Sequence, residues 1–149
     1  MLGAVRALLQ RVSEASVSVD GQVVGQIGPG LCALVGVAGH DDQVAADRLA
    51  LKIWQLRLFP DEAGNMNRSA AELGLAVLVV SQFTLYADTT RGRRPSFVQA
   101  APPLLARALV DRVVSQLGAA GARVATGRFG AMMQVRLVNE GPVTVMLET

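Results

Sequence analysis

The sequence predicts an α/β chain of the α+β kind, in which a mixed, mainly antiparallel, barrel-like β-sheet carries two main helices. Three observations predict it. Short Val- and Leu-rich runs of strand character outnumber helical stretches. Turn signals of hairpin type stand near both ends, at Asp20-Gly21 and at Asn139-Glu140-Gly141-Pro142. Only two stretches space their apolar residues as a helix does. With 149 residues, no long linker and no tandem repeat, one domain over residues 1–149 is expected.

The elements follow in order. Residues 5–12 are mostly apolar, and residues 15–19 alternate small or apolar residues with Ser. Asp20-Gly21 then joins Ser16-Val17-Ser18-Val19 to Gln22-Val23-Val24 as a hairpin. Gly28-Pro29-Gly30 is a second turn, and residues 31–37 read as a buried strand. Asp41 or Asp42 caps a helix that runs to about Leu56, with Val44, Ala45, Leu49, Ile53 and Leu56 on one face. Residues 56–59 suggest a short strand and residues 61–67 a polar turn. The continuous apolar run 75–83 reads as a central strand, and residues 81–88 continue from its end. Pro102-Pro103 suits a helix start, and that helix runs to Leu117 with Gly118 as its stop. Residues 123–126 form a short strand. Residues 132–138 and 143–147 form two more, with the Asn139 to Pro142 turn between them.

Composition excludes several kinds of chemistry. The longest apolar runs, 75–80 and 31–37, are far short of the roughly 20 residues of a membrane-spanning helix. Met1-Leu2-Gly3-Ala4-Val5, with Arg6 and Arg11 behind it, lacks the pattern of a signal peptide, so a cytosolic protein is expected. A single cysteine, Cys32, rules out a disulfide within the chain. With His40 the single histidine, no Cys/His zinc site can form, and neither metal nor cofactor is expected. His40 stands in a Gly-His-Asp-Asp turn and reads as a loop residue. The Ser–His and Cys–His routes to ester hydrolysis therefore have no support. A net charge of +2 permits a polyanionic partner without demanding one.

Four segments carry chemistry. Ser81-Gln82-Phe83-Thr84-Leu85-Tyr86-Ala87-Asp88 ends an apolar strand in hydroxyls, an amide and free backbone N–H groups. Such groups can hold an ester carbonyl and stabilise its oxyanion, or they can simply satisfy turn backbone. Thr84 is the candidate nucleophile, but no general base is evident for it. Arg91-Gly92-Arg93-Arg94-Pro95-Ser96-Phe97 clusters three arginines in a Gly/Pro loop before an aromatic ring. It suits phosphate contacts and base stacking, and equally a solvated loop. Thr126-Gly127-Arg128-Phe129-Gly130 has the composition of a shaped pocket wall or lid. Asn139-Glu140-Gly141-Pro142-Val143-Thr144 is a hairpin turn by default, and its Gly-Pro bond is open to the cis form. Residues 61–67 hold Asp, Glu and Asn, but not at the spacing of a calcium loop.

Taken together, these segments resemble the bacterial and eukaryotic D-aminoacyl-tRNA deacylases over essentially the whole chain. The resemblance starts at Arg6-Ala7-Leu8-Leu9-Gln10-Arg11-Val12 and continues through Gly28-Pro29-Gly30-Leu31 and Met66-Asn67. Ser81-Gln82-Phe83-Thr84, Gly92 to Phe97, Thr126 to Gly130 and Asn139-x-Gly-Pro-Val-Thr complete it. It implies an obligate homodimer with an interfacial active site whose partner is the aminoacylated 3′ end of tRNA. Neither DNA nor a membrane is an implied partner. Ser81, Gln82, Phe83 and Thr84 would form the pocket floor. A cis Gly141-Pro142 would enter the partner's pocket, grip the substrate α-amino group and exclude L side chains, with Arg11 helping to hold it. Arg91, Arg93 and Arg94 would meet tRNA phosphates. The resemblance further implies acceptance of glycyl-tRNA, including glycine mischarged on alanine tRNA. Attack by water would be assisted by the terminal 2′-hydroxyl of the tRNA, with Thr84 structural. Two departures stand out. Met132 occupies a position where the family usually has Asp, and Glu140 one where Asp is commoner. A non-catalytic RNA-binding module and a Ser81 or Thr84 esterase are the competing classes.

Overall fold

The computed structural model describes residues 5–149, so the reading of the first four residues as free of a signal peptide lies outside it. Eight strands and three α-helices are found among them. They run β1 (Arg6–Val19), β2 (Gln22–Ile27), β3 (Gly30–Gly36), α1 (Gln43–Gln55), β4 (Phe59–Pro60) and β5 (Met66–Arg68). Then come α2 (Ala70–Leu73), β6 (Ala76–Ser81), α3 (Pro103–Ala119), β7 (Val124–Thr126) and β8 (Gln134–Glu148). The main sheet has the order β2-β1-β3-β6-β7, with β8 on the other side of β1. β1 pairs antiparallel with β2, β3 and β8, whereas β3, β6 and β7 run parallel. The sheet curls until β2 meets β7. A Cβ on Gly25 would lie 2.2 Å from the Thr126 carbonyl oxygen, so glycine alone permits that approach. The predicted mixed, barrel-like sheet is thereby found.

One face of the sheet is covered by α1 and α3. Ala7, Leu9, Leu31, Ala33, Val35, Val77 and Val79 pack there against Leu49, Ile53, Leu109 and Val113. The other face holds a smaller core of Val12, Ala15, Val17, Cys32, Leu78 and Val80. Odd-numbered residues of β1 serve both cores, Leu9 in the first and Ala15 and Val17 in the second, which period-2 alternation forbids for an unbroken strand. Its register against β8 slips between Val12 and Glu14, and that bulge moves the inward residues from Leu9 to Ala15 and Val17. Burial of Cys32 in the second core pushes its thiol up to about 11. Leu49 is fully buried at the centre of the helix-covered core. Leu49→Ala should lower the unfolding free energy by about 2–5 kcal/mol, read from denaturant titration.

Most element expectations hold. Asp20 (φ 50°) and Gly21 (φ 79°) make the first hairpin. Asp42 caps α1 by accepting from the Ala45 N–H, while the Asp41 carboxylate accepts from Ala38 N–H instead. Others are corrected. Residues 5–12 and 15–19 belong to one bulged strand. The strand expected over 56–59 is reduced to Phe59–Pro60, which pairs with β5 inside the expected turn. Gly118 does not stop α3, because one helical glycine costs only about 1 kcal/mol against a helix anchored by buried Leu117. Gly121, at φ 107°, takes the left-handed turn three residues later. The short α2 is an addition to the expected elements, although Ser69 and Glu72 form a capping box at its start. The largest correction is at the end of the chain. Residues 132–138 and 143–147 are not two strands of a hairpin. They are parts of the single strand β8, which pairs with β1 from Glu148 back to Gln134.

Candidate active site

The parallel strands β3, β6 and β7 all finish at one end of the barrel, at Gly36, Ser81 and Thr126. The carboxyl ends of parallel strands leave N–H groups and loops free to converge on a ligand. Residues beyond Ser81 do not extend the strand, contrary to expectation. The Gln82 N–H still donates to the Val35 carbonyl at 2.8 Å, after which Phe83–Tyr86 coils into a 3₁₀ turn. The turn lies hard against β3, where a Cβ on Gly36 would be 3.0 Å from the Gln82 carbonyl oxygen. The Gln82 side-chain amide donates to Thr84 Oγ1, which is the one side-chain hydrogen bond of that hydroxyl among the described residues. No carboxylate or imidazole is hydrogen-bonded to Ser81 or Thr84 there, so no general base is arranged for either. The Thr126 to Gly130 loop joins the same end through the Gly127 N–H, which donates to the Val79 carbonyl at 3.2 Å.

The arginine loop borders this turn. Asp88 and Ser96 exchange two backbone hydrogen bonds, at 2.7 and 2.9 Å, and so pinch the loop at its base. The Asp88 carboxylate accepts from both the hydroxyl and the N–H of Thr90, which hold it below the usual carboxylate range. Arg91, Arg93 and Arg94 stand exposed beyond the pinch, without a hydrogen bond or ion pair among the described residues. Phe97 meets Phe83 edge to face with ring centroids 5.1 Å apart. The half-exposed Phe83 thus ties the polar turn to the basic loop.

Gly141-Pro142 sits within β8 as a looped-out bulge. Thr144 pairs with Gln10 and Asn139 with Val12, so residues 140–143 stand opposite Arg11 alone. The peptide bond is cis, and Gly141 has φ 128°. The Asn139 and Thr144 side chains close the base of the bulge. Asn139 Oδ1 accepts from the Val143 N–H, and Asn139 Nδ2 donates to Thr144 Oγ1. Arg11 Nε donates to the Glu140 carbonyl at 3.1 Å, and its Nη1 donates to the Leu58 carbonyl at 2.7 Å. A single guanidinium fork therefore joins the bulge to the chain entering the β4–β5 hairpin.

The structure brings the Ser81 turn, the arginine loop and the Thr126 loop to one barrel end, but it does not bring Gly141-Pro142 there within one chain. Ser81 pairs with Val35 and Val35 with Ala7, four residues from Arg11 along β1. At about 3.3 Å per residue, the bulge is displaced by about 13 Å along the strands and lies three strands away across the sheet. Met132 is 90 % exposed and fills no cavity of its own chain. Exposed His40 lies in the turn before α1. Among the described residues, no three His, Cys, Asp or Glu side chains are grouped to hold a metal ion. No helix there is long and apolar enough to cross a membrane. Two further groups at these sites are missed by the sequence reading. Arg6 donates to the Leu85 carbonyl at 3.0 Å, stacks 4.4 Å over the Tyr86 ring and pairs with Glu148, so it props the 3₁₀ turn from β1. The other is the Leu58 carbonyl. An arginine in an apolar strand is the available hint for the first, and a backbone acceptor gives none.

Such a barrel end offers polar backbone, hydroxyls and an amide, with no Ser–His or Cys–His pair among the described residues. Comparison with known proteins identifies the family. The family model described as D-Tyr-tRNA(Tyr) deacylase matches residues 8–148. A D-aminoacyl-tRNA deacylase of Thermomicrobium roseum is 59% identical over 144 residues, covering 97% of this chain and 94% of the relative. One from Ruegeria pomeroyi is 57% identical over 143 residues, covering 96% and 99%. The solved structure of a c-Myc DNA Unwinding Element Binding Protein superposes with a TM-score of 0.92 at 37% identity, covering 97% and 98%. That of a probable eukaryotic D-amino acid tRNA deacylase gives 0.87 at 19% identity, covering 98% and 100%, and speaks to the fold alone. The chain belongs to the D-aminoacyl-tRNA deacylase family of hydrolases.

Proposed function

We propose that this chain, as a homodimer, hydrolyses the ester of D-aminoacyl-tRNAs and spares L-aminoacyl-tRNAs by means of a Gly141-Pro142 bulge reaching into its partner's site. The observation that carries this reading is the Ser81 turn, polar and exposed at the carboxyl end of β6 with no base on Thr84. Backbone N–H groups and the Gln82 amide suit an ester carbonyl as its oxygen gains charge. Water needs activation from elsewhere, and the terminal 2′-hydroxyl of the substrate is adjacent to the ester it would cleave. Glycine has no side chain to exclude, so glycyl-tRNA, including that mischarged on alanine tRNA, would also be a substrate. The displacement of the bulge from its own Ser81 turn favours a second copy as its target. So does β8, a fifteen-residue strand that among the described residues pairs on one side only, with β1. Exposed edges of that length recruit other strands.

Purified protein should release D-Tyr from tRNA, leave L-Tyr-tRNA intact and sediment at twice the 15.6 kDa chain mass. Retained tRNA binding without ester cleavage would overturn the hydrolytic reading in favour of a binding module. If Arg91, Arg93 and Arg94 meet phosphates, changing all three to Gln should flatten the salt dependence of tRNA binding. The slope of log K against log salt should fall by about 0.7–0.9 for each phosphate that is no longer neutralised. An unchanged slope would remove the loop from the interface.

A further inference from the structure

A cavity of about 600 Å³ opens where β1, β2, β7 and β8 adjoin the start of β6, away from the Ser81 turn. Ala76 lines it, five residues and about 16 Å from Ser81 along β6. Its size falls within the range of small-ligand sites, roughly 300–1,000 Å³. The walls divide by chemistry. Ala15, Ile27, Ala76, Val124, Ala125 and Leu137 supply an apolar floor. Arg123 and Arg136 supply two guanidinium groups, and neither makes a hydrogen bond or ion pair among the described residues. Ser13, Ser16 and Gln26 add hydroxyl and amide groups, and Glu14 adds one carboxylate. The lining therefore carries a net charge of one positive unit. The bulge in β1 at residues 12–14 places Ser13 and Glu14 beside the cavity, where a regular strand would continue its pleat.

Two guanidinium groups and an apolar lining in one cavity are matched by a phosphate ester whose flat ring can stack on that lining. Arginine forks bind phosphate oxygens bidentately, and the floor buries the attached group. The geometry points to a second ligand site in this cavity that takes a nucleotide, with its phosphate on Arg123 and Arg136 and its base on the Ala76–Val124 floor. The nucleotide is either free or a unit of an RNA chain. This site is separate from the Ser81 turn and does not depend on the editing reading.

Titration of the full-length protein with UMP, followed by amide NMR shifts, tests it. The shifts should centre on Ala76, Val124 and Ala125 and leave Ser81 to Thr84 unmoved. R123Q/R136Q should weaken UMP binding by at least about tenfold, since charge-assisted hydrogen bonds are roughly twice as strong as neutral ones. Glu14→Gln removes the opposing carboxylate and should tighten binding. It gives a readout that loss of fold in the double variant would not mimic. A single-stranded RNA oligonucleotide without an amino acid that binds tighter than UMP identifies the source as RNA, and equal or weaker binding identifies a free nucleotide. The inference is overturned by no binding, by shifts confined to residues 81–97, by inorganic phosphate binding as tightly as UMP, or by unchanged affinity in R123Q/R136Q.

Discussion

A tRNA ending in 2′-deoxyadenosine should be deacylated about 10²–10⁴-fold more slowly than the natural substrate, the range that positioned acid–base assistance supplies. Thr84→Ala, by contrast, should keep most of the natural rate. The asymmetry follows from the Ser81 turn. Thr84 Oγ1 accepts from the Gln82 amide, and no carboxylate or imidazole is hydrogen-bonded to it. A hydroxyl in that setting has nothing to take its proton, so its nucleophilicity at neutral pH is negligible. Backbone N–H and amide groups of the proposed site would stabilise an oxyanion but could not deprotonate water. Single-turnover release of D-[¹⁴C]Tyr from the two tRNAs and from the variant gives the comparison. Full activity on the deoxy substrate together with a dead Thr84→Ala enzyme would establish the threonine as nucleophile.

Gly141→Ala should raise the ratio of L- to D-aminoacyl-tRNA hydrolysis by about tenfold or more, equivalent to at least about 1.4 kcal/mol of lost discrimination. Two features of the bulge motivate the figure. Gly141 has φ 128°, a backbone conformation that a Cβ disfavours. The added methyl would also lie 2.9 Å from Arg11 Nη2 and from Val143 Cγ2. Relief requires the bulge to shift, and with it the Arg11 bond to the Glu140 carbonyl. Because residues 140–143 lie outside the β1–β8 ladder, the fold itself should persist, and circular dichroism should be unchanged. Arg11→Lys keeps the charge but cannot span the Glu140 and Leu58 carbonyls, so it should move the ratio in the same direction. An unaltered ratio in both variants would sink the selectivity role.

How far these features can be read from sequence depends on the range of the interaction. Local chemistry is legible. Asp20-Gly21 marks its hairpin, Asp42 its helix cap, and the apolar run before Ser81 a buried strand. The candidate residues at the polar turn and the arginine loop are visible as unusual clusters, and the Phe83–Phe97 contact places them together. Long-range pairing is not legible. Asn139 to Pro142 has the composition of a hairpin turn. Whether such a segment reverses the chain or loops out of a continuing strand is decided by the partner, here β1 running alongside for its whole length. The same holds for Arg6 and Arg11, whose partners are backbone carbonyls 79 and 129 residues away, or 47 for Leu58. Carbonyls have no residue type, so composition cannot reveal them.

The pairing of Arg6 with Glu148 sets an order of events during synthesis. A ribosome releases β1 well before β8, at roughly 5–20 residues per second, so the outer side of β1 waits unpaired while the elements between them emerge. Contacts this distant in sequence are also the slowest to form once the chain is free. A nascent polypeptide can thus bury α1 against β3 and form the Ser81 turn before the bulge at Gly141 pairs with β1. Shortened products that lack β8 would retain that turn without the segment proposed to police handedness. Quality control of translation would then require quality control of the enzyme's own β8.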